Sequence, residues 1–185
     1  MQDLSLHLLD IVENSIRAQA TQITIELNES VQNNTISLIV ADNGKGMNKE
    51  MLSKVKDPFV TSRTTRRVGL GVSLLHQNCL NAGGELRIQS EEGKGTKLEA
   101  FMQYNHIDRL PLGDLTTSVI MLIQANPKIN FIYKHIYNEK VFCLSTYYIK
   151  EMLGDVAINE TEIIQWLKQY MKQNLIDLYK VGHFG

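Results

Sequence analysis

Three polar side chains near the start of the chain are spaced for joint chemistry. Asp10 and Asn14 stand four residues apart and Arg17 three further on, so on a helix all three share one face. An amide oxygen is a hard ligand suited to Mg²⁺. A carboxylate beside it could orient water or accept a hydroxyl proton. The plain alternative is a solvated helix face. A second group is Asp42-Asn43-Gly44-Lys45-Gly46-Met47. Two glycines bracketing one residue let the backbone come very close to a flat or bulky group. The carboxylate before them can accept a hydrogen bond from an exocyclic amine. A third is the run from Arg66 to Leu75, where two arginines lead into Gly69-Leu70-Gly71. A dinucleotide fingerprint would need a glycine where Leu74 stands and a strand just before the turn, and the P-loop Lys-Ser/Thr pair is absent. The bland reading is a helix-entry turn. Even so, free N–H groups at a helix start attract anions, and Arg63, Arg66 and Arg67 add positive charge. A fourth group, Gly93-Lys94-Gly95-Thr96, suits a hairpin loop.

The elements that must carry these groups follow from periodicity. Residues 3–18 repeat with helical spacing: Leu4, Leu8, Ile11, Val12 and Ser15 lie on the apolar side, His7, Asp10, Glu13, Asn14 and Arg17 opposite. His7 is thus expected to be a partly exposed helix residue. Residues 22–27 alternate and read as a strand; residues 35–41 are nearly all apolar and read as a central one. Asn48 can cap a short helix to Val55. A helix is expected from Val72 to about Ala82, stopped by Gly83-Gly84, and a hairpin from residues 85–90 and 97–102. Pro111 and Gly113 mark a boundary, placing one domain at residues 1–104 and a second region at 105–185. Beyond it come a helix at 114–125, strands at 131–136 and 141–144, and helices at 147–153 and 161–179.

Composition bounds the function. Hydrophobic residues make up 43% and charged residues 21% of 185 residues, enough for a packed core. A net charge of −1 argues against a nucleic-acid binder. No apolar run approaches the roughly 18 residues needed to span a membrane, and the start lacks a basic secretory leader. Cys79 and Cys143 are flanked by apolar residues and read as reduced core thiols. These features imply a soluble cytoplasmic protein.

In order, the four groups resemble the boxes of the GHKL superfamily of histidine kinases, gyrase-type and mismatch-repair ATPases and related chaperones. Leu8–Ala18 resembles the N box and Asp42–Met47 the first glycine box. Residues from Asp57 through Leu75 resemble the phenylalanine box, ATP lid and second glycine box, and Gly93–Leu98 the last. The resemblance covers about residues 1–102. It implies an α/β fold of the α+β kind: a two-layer sandwich with helices on one face of a mixed sheet, the C-terminal region being a small α+β appendage. It implies ATP and Mg²⁺ as ligands. By that likeness Asn14 matches the Mg²⁺-binding asparagine and Asp42 the aspartate that reads the adenine amino group. Thr96 supports adenine through water, and Gly44 and Gly46 lie beside the base. Gly69 and Gly71, with Leu70 between them, match the turn where the lid meets the phosphates, and Phe59 the lid's anchor. Arg63 falls where many sensor kinases carry a lid lysine, and Arg17 where they place a basic phosphate contact. Asp10 stands where hydrolysing members and anti-sigma serine kinases carry a glutamate base and many histidine kinases an asparagine. The N box begins within ten residues of Met1, so no acceptor hairpin is expected ahead of it. The resemblance therefore implies an ATP-binding protein acting on a separate protein partner. The alternative is an anti-sigma-like nucleotide-gated switch with little turnover. The region after Tyr104 carries no motif of this set and leaves three readings open: a docking module, a dimerisation element, or a plain hairpin packing under two helices.

Overall fold

The computed structural model describes residues 3–56 and 70–180. The first helix, α1 (Leu4–Arg17), starts where Asp3 accepts a hydrogen bond from the Leu6 amide at 3.0 Å. Strand β1 (Gln22–Ser30) follows and turns into β2 (Thr35–Asp42). Helix α2 (Lys49–Lys56) begins at Asn48, whose side chain accepts from the Met51 amide. After α3 (Leu70–Asn81), strands β3 (Glu85–Glu91) and β4 (Gly95–Gln103) form a hairpin. The remaining elements are α4 (Leu115–Ala125), β5 (Asn130–Tyr137), β6 (Lys140–Ser145), α5 (Thr146–Leu153) and α6 (Thr161–Tyr179).

All six strands form one sheet in the order β3-β4-β2-β1-β5-β6, and only β1 and β5 run parallel. The fold is the two-layer α/β sandwich that the motif order implies. Strand alternation sets its layers. Ile23, Ile25 and Leu27 of β1, Ile36, Leu38 and Val40 of β2, and Phe131 and Tyr133 of β5 are fully or almost fully buried on the helix side. The register lines them up in rows, one of which runs Leu98–Val40–Ile25–Tyr133–Leu144 across five strands. The helices lie side by side over this face: α3 over β3 and β4 and against α1, α1 against α4, α4 against α6, and α6 over β6. The other face carries Glu26, Ile39, Glu99 and Lys134 and stays partly open.

The strands beyond residue 104 therefore continue the sheet of the first hundred residues. Two side chains depart from the sequence expectation. His7 is fully buried, because α1 contacts helices as well as the sheet and His7 lies on its α3 side. Cys79 is buried as expected, but Cys143 is exposed. Its strand is the sheet's last, and the Cys143 side points to the open face.

Candidate functional site

One end of the sheet builds a cavity of about 200 Å³ between α1, α2 and the strands. Asp42, the last residue of β2, lies in its wall. Two donors hold the carboxylate: Ser15 Oγ gives its proton to Oδ2 at 2.6 Å, and the Gly44 amide gives to Oδ1 at 2.9 Å. Thr96 is the register partner of Asp42 on β4, and its hydroxyl lies 2.8 Å from that of Ser90 on β3. Ser90 also accepts from the Met47 amide at 2.8 Å. Neighbouring strands thus set a hydroxyl, Thr96, beside the Asp42 carboxylate in a wall completed by Val40, Met47, Ile88 and Leu98. A flat ring with an exocyclic donor suits that mixture.

The glycines let chain segments close around Asp42. A Cβ on Gly95, whose φ is +103°, would lie 1.9 Å from the Asp42 carbonyl oxygen. At Gly46, with φ +65°, it would lie 2.0 Å from that of Glu91. Both positions combine left-handed backbone with contact closer than any side chain tolerates. Gly44 packs on the Ala18 backbone, and Lys45 donates its amide to the Ala18 carbonyl at 2.9 Å. Asn43 is structural: its Oδ1 accepts from the Thr21 and Gln22 amides, each at 2.9 Å, tying the loop to β1.

Asn14 and Arg17 line the same cavity from α1. Arg17 pairs with Glu13 at 3.2 Å, with both side chains more than half exposed, so that link contributes little and yields readily to a stronger anion. Asp10 lies a turn earlier on α1, exposed, against the first turn of α3. A Cβ on Gly71 would come within 2.4 Å of its Oδ2. Acid and helix start therefore meet beside the cavity. Leu70 opens α3. Phe59, Arg63 and Gly69, with Arg66 and Arg67, lie outside the described residues.

Three polar residues at this site are absent from the motif reading. Ser15 was legible as the one polar member of the apolar stripe of α1. Lys45, inside the glycine box, also lines the cavity. Ser90 carries no spacing signal and is found only through strand register. Behind the site, Asn78 Nδ2 of α3 donates to His7 Nε2 at 3.1 Å, so the neutral ring carries its proton on Nδ1. That atom lies near the Gly71 backbone without a hydrogen-bond partner among the described residues. Burial lowers the His7 pKa below its ordinary value.

Residues 2–106 match the family model described as "Histidine kinase-, DNA gyrase B-, and HSP90-like ATPase". The chain belongs to this family and carries a histidine-kinase-like ATP-binding domain. It is 35% identical over 99 residues to a putative sensor protein of Shewanella frigidimarina, covering 52% of this chain and 15% of that one. It is 27% identical over 106 residues to the sensor histidine kinase ZraS of Escherichia coli, covering 57% and 23%. The chain thus spans less than a quarter of the length of these relatives. Among solved structures, the N-terminal domain of a DNA repair protein aligns with a TM-score of 0.53 over 98% of this chain and 58% of that one. At 16% identity that likeness concerns the fold alone. Among the described residues, no helix is long and apolar enough to cross a membrane.

Proposed function

We propose that the chain binds Mg-ATP in the cavity beside Asp42 and transfers the terminal phosphoryl group to a separate protein partner in the cytoplasm. The carrying observation is the Asp42 carboxylate, fixed by Ser15 and Gly44 in a wall shared with Thr96. A carboxylate fixed in this way accepts from the adenine amino group without paying to reorient.

The donor set fits magnesium. No group of three or more His, Cys, Asp or Glu residues gathers as a metal cage among the described residues. Asn14 lines the cavity instead and offers an amide oxygen, and Mg²⁺ takes most of its remaining ligands from phosphates and water. The ion would supply charge neutralisation on the phosphates. Arg17 and Lys45 at the cavity add positive charge, and the α3 start offers N–H groups. Asp10 is the acid in reach of that helix start and serves as the base toward the acceptor hydroxyl, imidazole or water.

Calorimetric titration of the protein with ATP and ADP in the presence of Mg²⁺ tests the reading. Binding that weakens at least tenfold in Asp42→Asn supports it; absence of binding in the wild type overturns it. Asn14→Ala should weaken Mg-ATP far more than adenosine, whereas equal loss for both would contradict the metal role. The nucleotide-gated switch separates from the kinase on phosphate release or transfer. Turnover that disappears in Asp10→Asn marks an enzyme, and tight binding without turnover marks a switch.

A further inference from the structure

The two edges of the sheet differ in kind. The β3 edge is guarded: Glu85, Arg87 and Glu91 are exposed and charged, the usual protection against edge pairing. The β6 edge has no such guard. Its six residues hold one charge, Lys140, and Val141 is 55% exposed. Phe142 and Leu144 fill the helix side and Val141 and Cys143 the open side, so both faces of this strand are apolar. Among the described residues nothing pairs with its outer edge.

The helix above it has the same unfinished flank. Helix α6 is the outermost of the row, and part of its aromatic surface is left uncovered. Ile164, Leu167 and Met171 are buried inward. One turn-face outward, Trp166 stacks on Tyr170 at 5.2 Å and 14°, and Tyr170 rests against Phe142 of β6. Trp166 and Tyr170 are nevertheless 49% and 40% exposed. An open strand edge and a half-exposed aromatic pair packed on that same strand thus occur together.

We propose that this flank is the seat of a second copy of the chain, joined through antiparallel β6–β6 pairing about a twofold axis. The charges fit this occupant. With the axis at Cys143, each Cys143 faces its own copy and Val141 faces Ser145 of the partner subunit; the two Lys140 side chains, the single charge of each strand, stand at opposite ends of the paired segment, so no like charges oppose one another. A twofold interface is self-complementary, so one flank supplies both halves. The strands complete each other's free edges, and the half-exposed aromatics of each copy cover the added strand of the other. The result is a continuous twelve-stranded sheet with a nucleotide cavity in each half.

The chain carries its own reporter. Cys143 is the exposed thiol; Cys79 is buried, and burial pushes its pKa up to about 12. In the paired state the two Cys143 residues stand directly opposite, with Cα atoms about 5 Å apart. The experiment combines sedimentation velocity over a concentration series with crosslinking by a short bismaleimide, using Cys143→Ser as the blank. A dimer whose Cys143 residues crosslink supports the pairing. Val141→Lys and Trp166→Glu should each shift the protein to monomer and cut the crosslinked yield at least tenfold, with Mg-ATP binding and melting temperature retained. Should those variants fold poorly, a spin label on wild-type Cys143 decides: a short, narrow distance supports the pairing, and its absence overturns it. A wild type that stays monomeric throughout, or a dimer that leaves Cys143 beyond the crosslinker's reach, also overturns it. Because nucleotide binding is read separately, failure here is distinct from failure of the kinase reading.

Discussion

Asp42 concentrates the chemistry of the cavity in one carboxylate, and its two donors divide the work of holding it. The Gly44 amide comes with the loop, while the Ser15 hydroxyl reaches across from α1. Asp42→Asn alters the group that meets the base and disturbs both bonds. Hydrogen bonds to charged groups contribute about 1.5–3 kcal/mol, so ATP should bind roughly ten- to a hundredfold more weakly in calorimetry. Ser15→Ala removes one bond to that charged carboxylate, about 1.5 kcal/mol at the low end of the same range, and should cost roughly tenfold. His7 makes a pH prediction. Its folded pKa lies below the ordinary 6.5, because burial disfavours the charged ring. The unfolded chain therefore binds this proton at higher pH than the folded one. The stability associated with neutral His7 is complete above about pH 6.5 and is lost as pH falls below it, toward the depressed folded value. Thermal melts from pH 7.5 down to 5.5 should show this decline in the wild type and a shallower one in His7→Gln. Local spacing made Asp10, Asn14, Asp42 and the glycines legible, since each box is one short segment. His7 was misjudged because a helical wheel shows one apolar stripe, whereas α1 is covered from two directions.

At the scale of elements, the contact between α1 and α3 joins the acid to the helix start. A Cβ on Gly71 would lie 2.4 Å from the Asp10 carboxylate tip and 3.1 Å from its Cβ, so a side chain there must push that carboxylate aside and crowd the two helices. Gly71→Val should force the first turn of α3 away from α1. Binding of ATP should fall by roughly tenfold, about 1.4 kcal/mol, while adenosine binding, which relies on Asp42, changes little. Equal loss for both ligands would show instead that the whole cavity had collapsed. At the opposite end of the sheet a buried polar knot fastens α6. Glu29 and His135 are each 2% exposed, joined at 2.8 Å, and Tyr133 Oη lies 2.9 Å from His135 Nδ1. Tyr179 closes the knot by donating to Glu29. Tyr179→Phe leaves a buried carboxylate short of a donor, and chemical denaturation should register a loss of about 1–3 kcal/mol with ATP affinity unchanged. None of this was readable beforehand. The alternation of β1 and β5 predicts two strands, but nothing in either predicts that a glutamate of one and a histidine of the other share a face of the core.

On the scale of the whole molecule, the parallel pairing of β1 with β5 makes the C-terminal region part of the sheet. A chain ended after residue 104 would expose the β1 edge and strip Phe131 and Tyr133 from the core beside Ile23 and Ile25. Losing even one large aromatic from a core costs about 3–5 kcal/mol, so the shortened protein should melt far below the full chain or aggregate. A shortened protein that melts like the full one would contradict this. The fold class was legible because four ordered motifs resemble a family; the placement of the last third was not, because a long-range strand pairing leaves no periodic trace. That pairing also bears on synthesis. His135 and Glu29 are 106 residues apart in sequence, and loops of that length close slowly. While the ribosome is still making the middle of the chain, β1 has β2 on one side and nothing on the other. The nucleotide end can assemble early, but its central strand keeps an open flank until β5 emerges. The nascent protein is therefore most vulnerable to misassociation with other chains during that interval, and a chaperone that covers exposed strand edges would matter most then.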